Sequence, residues 1–406
     1  MSLGRGRSLG RKNRVRGKFG LANSGTQGSS RSNGVNYPPL WYPTTTSSTT
    51  STISTTSSSM STSSSTYSTV STTSSSMSTS SSTYSTVSTT SSSSTSTSSA
   101  TTTTTTGPPP NSWVEVAGLL DGQTTIYSLL EFDSKIYGGT YPNGNLFEWN
   151  GLDAWVQKAA QLGSETEITA LAVYNGKLYG GTSVNGLLFE WNGSDSWVAV
   201  TSKLGSETAI RSLCVYDGSL YGGTSPNGNL FVWNDSDAWV QKAPKLGSET
   251  AIECLCVHGA KLYGGTNVNG LLYEWNGTDA WAAKTSKLGA EIGIPSLISY
   301  SGNLYGGTYP NGNLFMWNGT NAWLAKATKL GSVEGIYHLL EYDGGLYGAT
   351  GVDYASLYKW NEVDAWSDMT GPVGSAAYFF DIVEHNSKIY GGTAGGGKLC
   401  VFGYTP

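Results

Sequence analysis

The chain has 406 residues, and its formal net charge of −5 conceals two unlike parts. Residues 1–110 carry eight basic side chains and neither Asp nor Glu, so residues 111–406 hold 15 basic groups against all 28 acids. A membrane-spanning helix is excluded because no run of ~18 apolar residues occurs, and the N-terminus lacks the apolar stretch of a secretory signal. The four cysteines, Cys214, Cys254, Cys256 and Cys400, form no C-x-x-C pair and are predicted to be buried thiols, not disulfide partners or zinc ligands.

In chain order, residues 1–36 are dominated by Arg, Gly, Ser and Asn, which cannot bury enough surface to offset chain entropy. They read as a disordered basic arm bearing Arg5, Arg7, Arg11, Lys12, Arg14, Arg16, Lys18 and Arg31. Such an arm is expected to bind an anchoring partner by salt-sensitive attraction, whereas the acidity of the rest argues against nucleic acid as the main ligand. Its Arg- and Ser-rich start also resembles an organelle transit peptide. Residues 37–110 are a proline and aromatic island, Y-P-P-L-W-Y-P, followed by a tract in which 55 of residues 44–106 are Ser or Thr. A 17-residue unit recurs there at 55–71 and 72–88. No packed core can form from it, so it is predicted to be a stalk, flexible if bare and extended if O-glycosylated, that ends at the G-P-P-P of 107–110.

Residues 111–406 are a repeat. The motif L/I-Y-G-G/A-T puts tyrosines at Tyr137, Tyr179, Tyr221, Tyr263, Tyr305, Tyr347 and Tyr390, spaced by 42 residues and once by 43. One tryptophan series follows at Trp149, Trp191, Trp233, Trp275, Trp317 and Trp360, with Phe402 in the last place. A second falls six residues later, from Trp155 to Trp366, and its remaining member is Trp113 at the start of the body. Within one copy, I-T-A-L-A-V-Y from Ile168 meets Asn175-Gly176 and K-L-Y-G-G-T returns, a hairpin with a favoured tight turn. L-L-F-E-W supplies a third strand and a fourth begins at Trp197. Four short antiparallel strands in ~42 residues is the size of one propeller blade. The body starts with a fourth-strand sequence, W-V-E-V, and ends with a third-strand sequence, K-L-C-V-F, so pairing the two closes the ring. The fold expected is an all-β, seven-bladed β-propeller of four-stranded blades closed by N- and C-terminal strands.

The aromatic residue before Gly-Gly, as in Tyr179-Gly180-Gly181, the strand-end Trp191 and the following Trp197 resemble kelch-type propellers, whose enzymatic relatives have the galactose-oxidase-like fold. The resemblance covers residues 113–402; the copies are shorter than usual kelch repeats and have Trp where those commonly have Tyr. It implies a propeller that binds proteins or sugars, with function carried by sites and not by the fold.

An enzyme is not expected. His258, His338 and His385 occupy unrelated repeat positions, and no nucleophile, metal-ligand or phosphate-loop motif occurs in its structural context, so no catalytic residue, metal site or cofactor is assigned. The repeated tryptophans and the Gly-Gly pairs are read as blade packing. Copies differ in the loops on one face, which makes that face the candidate ligand surface. Its second-to-third-strand loops contribute Tyr141, Asn143, Ser183, Ser225, Asn267, Tyr309 and Asn311, and the connections between copies contribute Glu165, Glu207, Glu249 and Glu291. Asn and carboxylate groups with tyrosine suit multivalent hydrogen bonding to sugar hydroxyls, while solvated Asn-Gly turns explain the same residues without a ligand. On the other face Asn192, Asn234, Asn276 and Asn318 fit the N-glycosylation pattern, although without a secretory signal the repeated turn is the preferred reading. The function expected is a non-enzymatic attachment protein displayed on a cell or virion surface, recognising a glycan or protein. An intracellular, cytoplasmic kelch-like adaptor is the alternative, and an oxidase-like enzyme is third.

Overall fold

The computed structural model describes residues 112–118, 122–161, 163–244, 247–328, 334–351, 355–370, 373, 376 and 378–403. The basic arm and stalk expected over 1–110 lie outside the described residues.

Apolar alternation and turn chemistry produce the strands. Asn175 and Gly176 have φ of 49° and 72°, Asp217 and Gly218 46° and 71°, and Asp343 and Gly344 45° and 67°. Two successive positive φ values are what a two-residue hairpin turn needs to match strand twist. In one copy Glu167–Tyr174, Lys177–Ser183, Leu188–Trp191 and Trp197–Ala199 pair antiparallel in sequence order. The same order recurs along the chain, giving 28 strands among the described residues. The final copy supplies Tyr378–His385, Lys388–Ala394 and Leu399–Phe402, and Trp113–Ala117 from the start of the body completes it. Trp113 lies opposite Phe402, Val114 opposite Val401 and Glu115 opposite Cys400. This is the terminal pairing expected from the sequence.

The first strand of every copy contacts the first strand of the next, and Tyr378–His385 contacts Thr125–Phe132, so these inner strands form an unbroken cycle. Across the last join Leu129 N donates to Asp381 Oδ2 at 2.8 Å. Elsewhere the fourth residue of an inner strand reaches the next blade: the hydroxyls of Ser128 and Ser296 donate to Ile168 O at 3.3 Å and Ile336 O at 3.0 Å.

The core lies between blades. Tyr137 packs on Trp191 of the following copy with ring centroids 5.2 Å apart, Tyr263 on Trp317 at 5.2 Å, and Tyr390 on Trp149 across the closure at 5.0 Å. Burial of the ring, not hydrogen bonding, holds these tryptophans, since the indole nitrogens of Trp149, Trp191 and Trp317 have no acceptor. The Gly-Gly pair relieves close packing in six copies, and Ala349 takes the second place in the other. A Cβ on Gly138 lies 3.1 Å from the Trp155 ring, and one on Gly139 lies 2.6 Å from Ile168 Cγ2 of the next blade. Cys254, Cys256 and Cys400 are buried as expected, and Cys214 is only partly so because its strand end is more open.

Each blade has two ends. At one end inner strands begin and the second-to-third-strand loops sit. At the other lie the hairpin turns, the third-to-fourth-strand turns, and both ends of the described body, where Gly403 N donates to Ser112 O at 3.3 Å.

Candidate ligand site at the mouth of the inner strands

The glutamates predicted for the ligand face are internal. Glu165, Glu207 and Glu249 are each 1 % exposed and Glu291 3 %. Each carboxylate closes on the next Asn-Gly loop. Asn185 donates its backbone N–H to Glu165 Oε2 at 3.2 Å and its side-chain amide to Oε1 at 2.5 Å. Asn227, Asn269 and Asn311 repeat the amide bond to Glu207, Glu249 and Glu291 at 2.8, 2.6 and 3.0 Å. In the first copy Gln123 replaces the acid, and its Oε1 accepts from Asn143 N at 3.2 Å and Thr140 Oγ1 at 2.9 Å. A buried carboxylate satisfied by two N–H donors is stable as a loop clamp, and it leaves little to offer a ligand.

The other predicted positions, Tyr141, Ser183, Ser225, Asn267 and Tyr309, end the second strands and surround the mouth of the inner-strand cycle. Each pairs with the residue that begins an inner strand, as Tyr141 with Thr125 and Ser183 with Glu167. They meet side chains that the sequence reading missed, from the third position of the inner strands. In three copies, at Tyr127, Tyr337 and Phe380, that position helps form an aromatic arc. Tyr127 stacks on Phe380 with centroids 4.9 Å apart, and Phe380 stacks on Tyr378 at 5.3 Å with the planes 3° apart. Tyr337 joins Tyr378 at 5.5 Å and Tyr309 at 6.2 Å, and Tyr141 meets Tyr127 edge-on at 6.0 Å. Tyr337 and Phe380 form the buried floor, while Tyr127, Tyr141, Tyr309 and Tyr378 are partly exposed above it. Burial, then the neighbouring Tyr378, Tyr309 and Glu334, pushes the Tyr337 hydroxyl far above its ordinary range, so it stays protonated.

The opposite arc is polar. Arg211 Nε donates to Ser225 Oγ at 3.1 Å, Asn267 Nδ2 donates to Glu253 Oε1 at 2.9 Å, and Thr169 Oγ1 donates to Ile210 O at 2.6 Å. Burial raises the Glu167 carboxyl above the usual range against the opposing pull of Arg211 and Ser183. It raises Glu253 likewise, against Arg211 and Asn267. One guanidinium thus serves two carboxylates that are incompletely solvated. The available sequence signal was the inner-strand column Tyr127, Thr169, Arg211, Glu253, Pro295, Tyr337 and Phe380, whose members share almost nothing although the flanking positions repeat.

At the other end, Asn192 Oδ1 accepts the N–H groups of Ser194, Asp195 and Ser196 at 2.9, 3.1 and 3.1 Å. Asn234, Asn276 and Asn318 form the same turn. So do Asn150 and Asn361, which lack a glycosylation pattern. The turn therefore accounts for the asparagine with or without a sugar.

No family model and no curated protein matches the sequence. Solved structures do match in fold. The WD40 β-propeller domain of Doa1 is 14% identical with a TM-score of 0.56, over 72% of this chain and 97% of that one. A catalytically inactive virginiamycin B lyase from Staphylococcus aureus, solved with quinupristin, is 10% identical with a TM-score of 0.59, over 72% and 99%. YCF48 bound to D1 peptide is 14% identical with a TM-score of 0.55, over 73% and 99%. Identities this low show the fold alone, and the likeness to kelch repeats stays at the level of sequence motifs. The described body is a β-propeller of repeated four-stranded blades.

Proposed function

We propose that the body is a seven-bladed, non-enzymatic binding head that takes a glycan or protein ligand at the mouth of its inner strands. The observation that carries this is the mouth itself. The repeat is kept nearly everywhere, yet where the inner strands begin it gives way to an arc of tyrosine and phenylalanine facing an arc of Arg211, Glu167 and Glu253. Aromatic surface with a few convergent polar groups is the composition of a recognition site. The chain joins the head at Ser112, at the end of the blades away from the mouth. The Ser/Thr-rich sequence before the body reads as a stalk and the basic arm as an anchor, which supports display on a cell or virion surface. A protein ligand is the second reading, favoured by the existence of YCF48 bound to D1 peptide within the same fold.

The test is to screen the full chain against immobilised glycans and peptides and to repeat every positive with two variants. Tyr378→Ala at the mouth is expected to lower affinity at least tenfold, and Asn192→Asp at the far end to leave it unchanged. The reverse pattern would move the site to the other face. Fractionation that recovers the chain only from cytosol, with the Ser/Thr tract unmodified, would favour an intracellular adaptor over surface display.

A further inference from the structure

We infer that the join closing the cycle of inner strands is an acid-sensitive latch. Protonation of Asp381 releases the final copy from both of its neighbours, so the body opens there first as pH falls.

The fourth residue of the inner strands makes the joins, and the last two joins differ chemically from the others. Ser128, Ser212 and Ser296 donate a hydroxyl, and Cys254 a thiol, to a backbone carbonyl of the next copy. Hydroxyls do not change charge in mild acid, and burial pushes the Cys254 thiol far up. In the penultimate and final copies the same position holds His338 and Asp381, which are 2 % and 4 % exposed. His338 Nδ1 is in contact with Asp381 Oδ1, and neither atom has a hydrogen-bond partner elsewhere among the described residues. Asp381 Oδ2 accepts from Leu129 N at 2.8 Å. One carboxylate therefore ties the final copy to the copy before it and to the first. A second imidazole–carboxylate contact spans the final and first copies at the hairpin end, where His385 Nδ1 meets Glu131 Oε2 at 3.2 Å.

Acid acts on this join through Asp381. The ionised carboxylate accepts from Leu129 and balances His338, whereas the protonated one leaves an imidazolium buried without a counter-ion, which is costly. The closed join needs the ionised form, so the open form takes up a proton more readily and falling pH favours opening. Opposite the pair within its own hairpins lie Ala349 and Gly392. Glu131, Glu341 and Glu384 stand three residues further along the packed inner strands, about 10 Å away. Lys388 lies opposite His385 at the hairpin end.

The mouth responds in the other direction. Burial raises the Glu253 and Glu167 carboxyls, so their contribution to stability is present in acid and is lost as pH rises. Overall unfolding mixes the two responses, and a local probe separates them. Cys400 is buried with Tyr347 and Leu357 of the penultimate copy and Phe379 of its own. Cys254 and Cys256 are buried between two middle copies, with Tyr263 and Ile294.

The experiment is labelling of the four native thiols of the full chain with 4,4′-dithiodipyridine from pH 7 to pH 4. Peptide mass spectrometry reads each cysteine, scaled at every pH to the urea-unfolded chain, with the partly exposed Cys214 as the reactive reference. Labelling of Cys400 is expected to rise about tenfold before Cys254 or Cys256 responds. Asp381→Asn keeps the shape and an acceptor for Leu129 N without titrating, and is expected to make Cys400 labelling independent of pH. If that variant does not fold, His338→Ser combined with Asp381→Ser installs the hydroxyl of the other joins, and the same flat profile is expected. Glu207→Gln removes a buried carboxylate elsewhere and is expected to leave the Cys400 profile as in the parent. Protection of Cys400 that persists at pH 4 overturns the inference. So does labelling of Cys254, Cys256 and Cys400 in step, or an acid response that survives the Asp381 variants.

Discussion

Glu207 is a buried acid whose value lies in what it holds. Its Oε1 accepts the amides of Asn227 at 2.8 Å and Asn229 at 2.7 Å, fixing the loop after Ser225 beside the mouth. Glu207→Ala leaves two amide donors without an acceptor and is expected to cost about 2 kcal/mol. Glu207→Gln keeps one acceptor oxygen, as Gln123 does in the first copy, and should cost less than about 1 kcal/mol by urea unfolding. Equal stability of the alanine variant and the parent would remove the clamp role. Glu253 behaves differently because burial raises its carboxyl above the ordinary 4.5. A raised folded-state value means that the folded chain holds the proton more tightly than the unfolded chain. The resulting stability is complete below 4.5 and is lost as pH rises through the folded value. Thermal unfolding from pH 4 to 7 should therefore show the parent losing ground to Glu253→Gln as pH increases. A difference that does not change with pH would contradict the shift.

The element that most constrains the sequence is the second strand. Its two glycines face different neighbours, the first the fourth-strand tryptophan of its own blade and the second the inner strand of the next. Gly265→Ala would bring a Cβ to 2.6 Å from Ile294 O, which is backbone and cannot swing away. A loss of about 1–3 kcal/mol is expected from such overpacking. Gly293→Ala is the matched control, since its Cβ has no neighbour nearer than 3.9 Å and its φ is not positive. It should change stability by less than about 0.5 kcal/mol, and equal losses at both sites would mean that blade spacing does not depend on the pair. These positions were legible in the sequence because a ring of alike blades repeats its packing, so identical contacts leave an identical residue every 42 positions. The mouth was not legible by the same route. Arg211 and Glu253 differ from their counterparts in other copies, and Tyr127 meets Phe380 only because the chain closes on itself. Repetition marks what holds the blades together, and departure from repetition at an inner-strand position marks where they differ in surface. The glutamates misled because they repeat in a variable loop, yet their repetition has the packing cause too.

At the scale of the whole molecule, closure depends on five residues that are remote in sequence from the strand they complete. Trp113–Ala117 covers the edge of Leu399–Phe402, and Trp113 lies 4.4 Å from the Phe379 ring and 5.9 Å from Phe402. Val114 and Val116 pack on the cluster that includes Leu399 and Val401, so the strand joins the cores of the first and last copies. In a ring each blade is supported on two sides, and losing one strand exposes an edge and opens an interface at once. Trp113→Ala alone should cost about 3–5 kcal/mol. A chain beginning at residue 118 should lose more and unfold roughly 10 °C lower, given a few degrees per kcal/mol for a body of this size. One beginning at residue 111 keeps the strand and should match the full chain, because the Ser/Thr- and Gly-rich sequence it lacks has too few apolar side chains to build a core. Adding a synthetic peptide of residues 111–118 to the shorter chain separates closure from general damage. Concentration-dependent recovery of the unfolding temperature is expected if the open edge accepts its strand in trans. No loss on truncation would mean that the described blades hold together without the terminal pairing, and a loss that saturating peptide does not restore would assign it to general damage instead of the open edge.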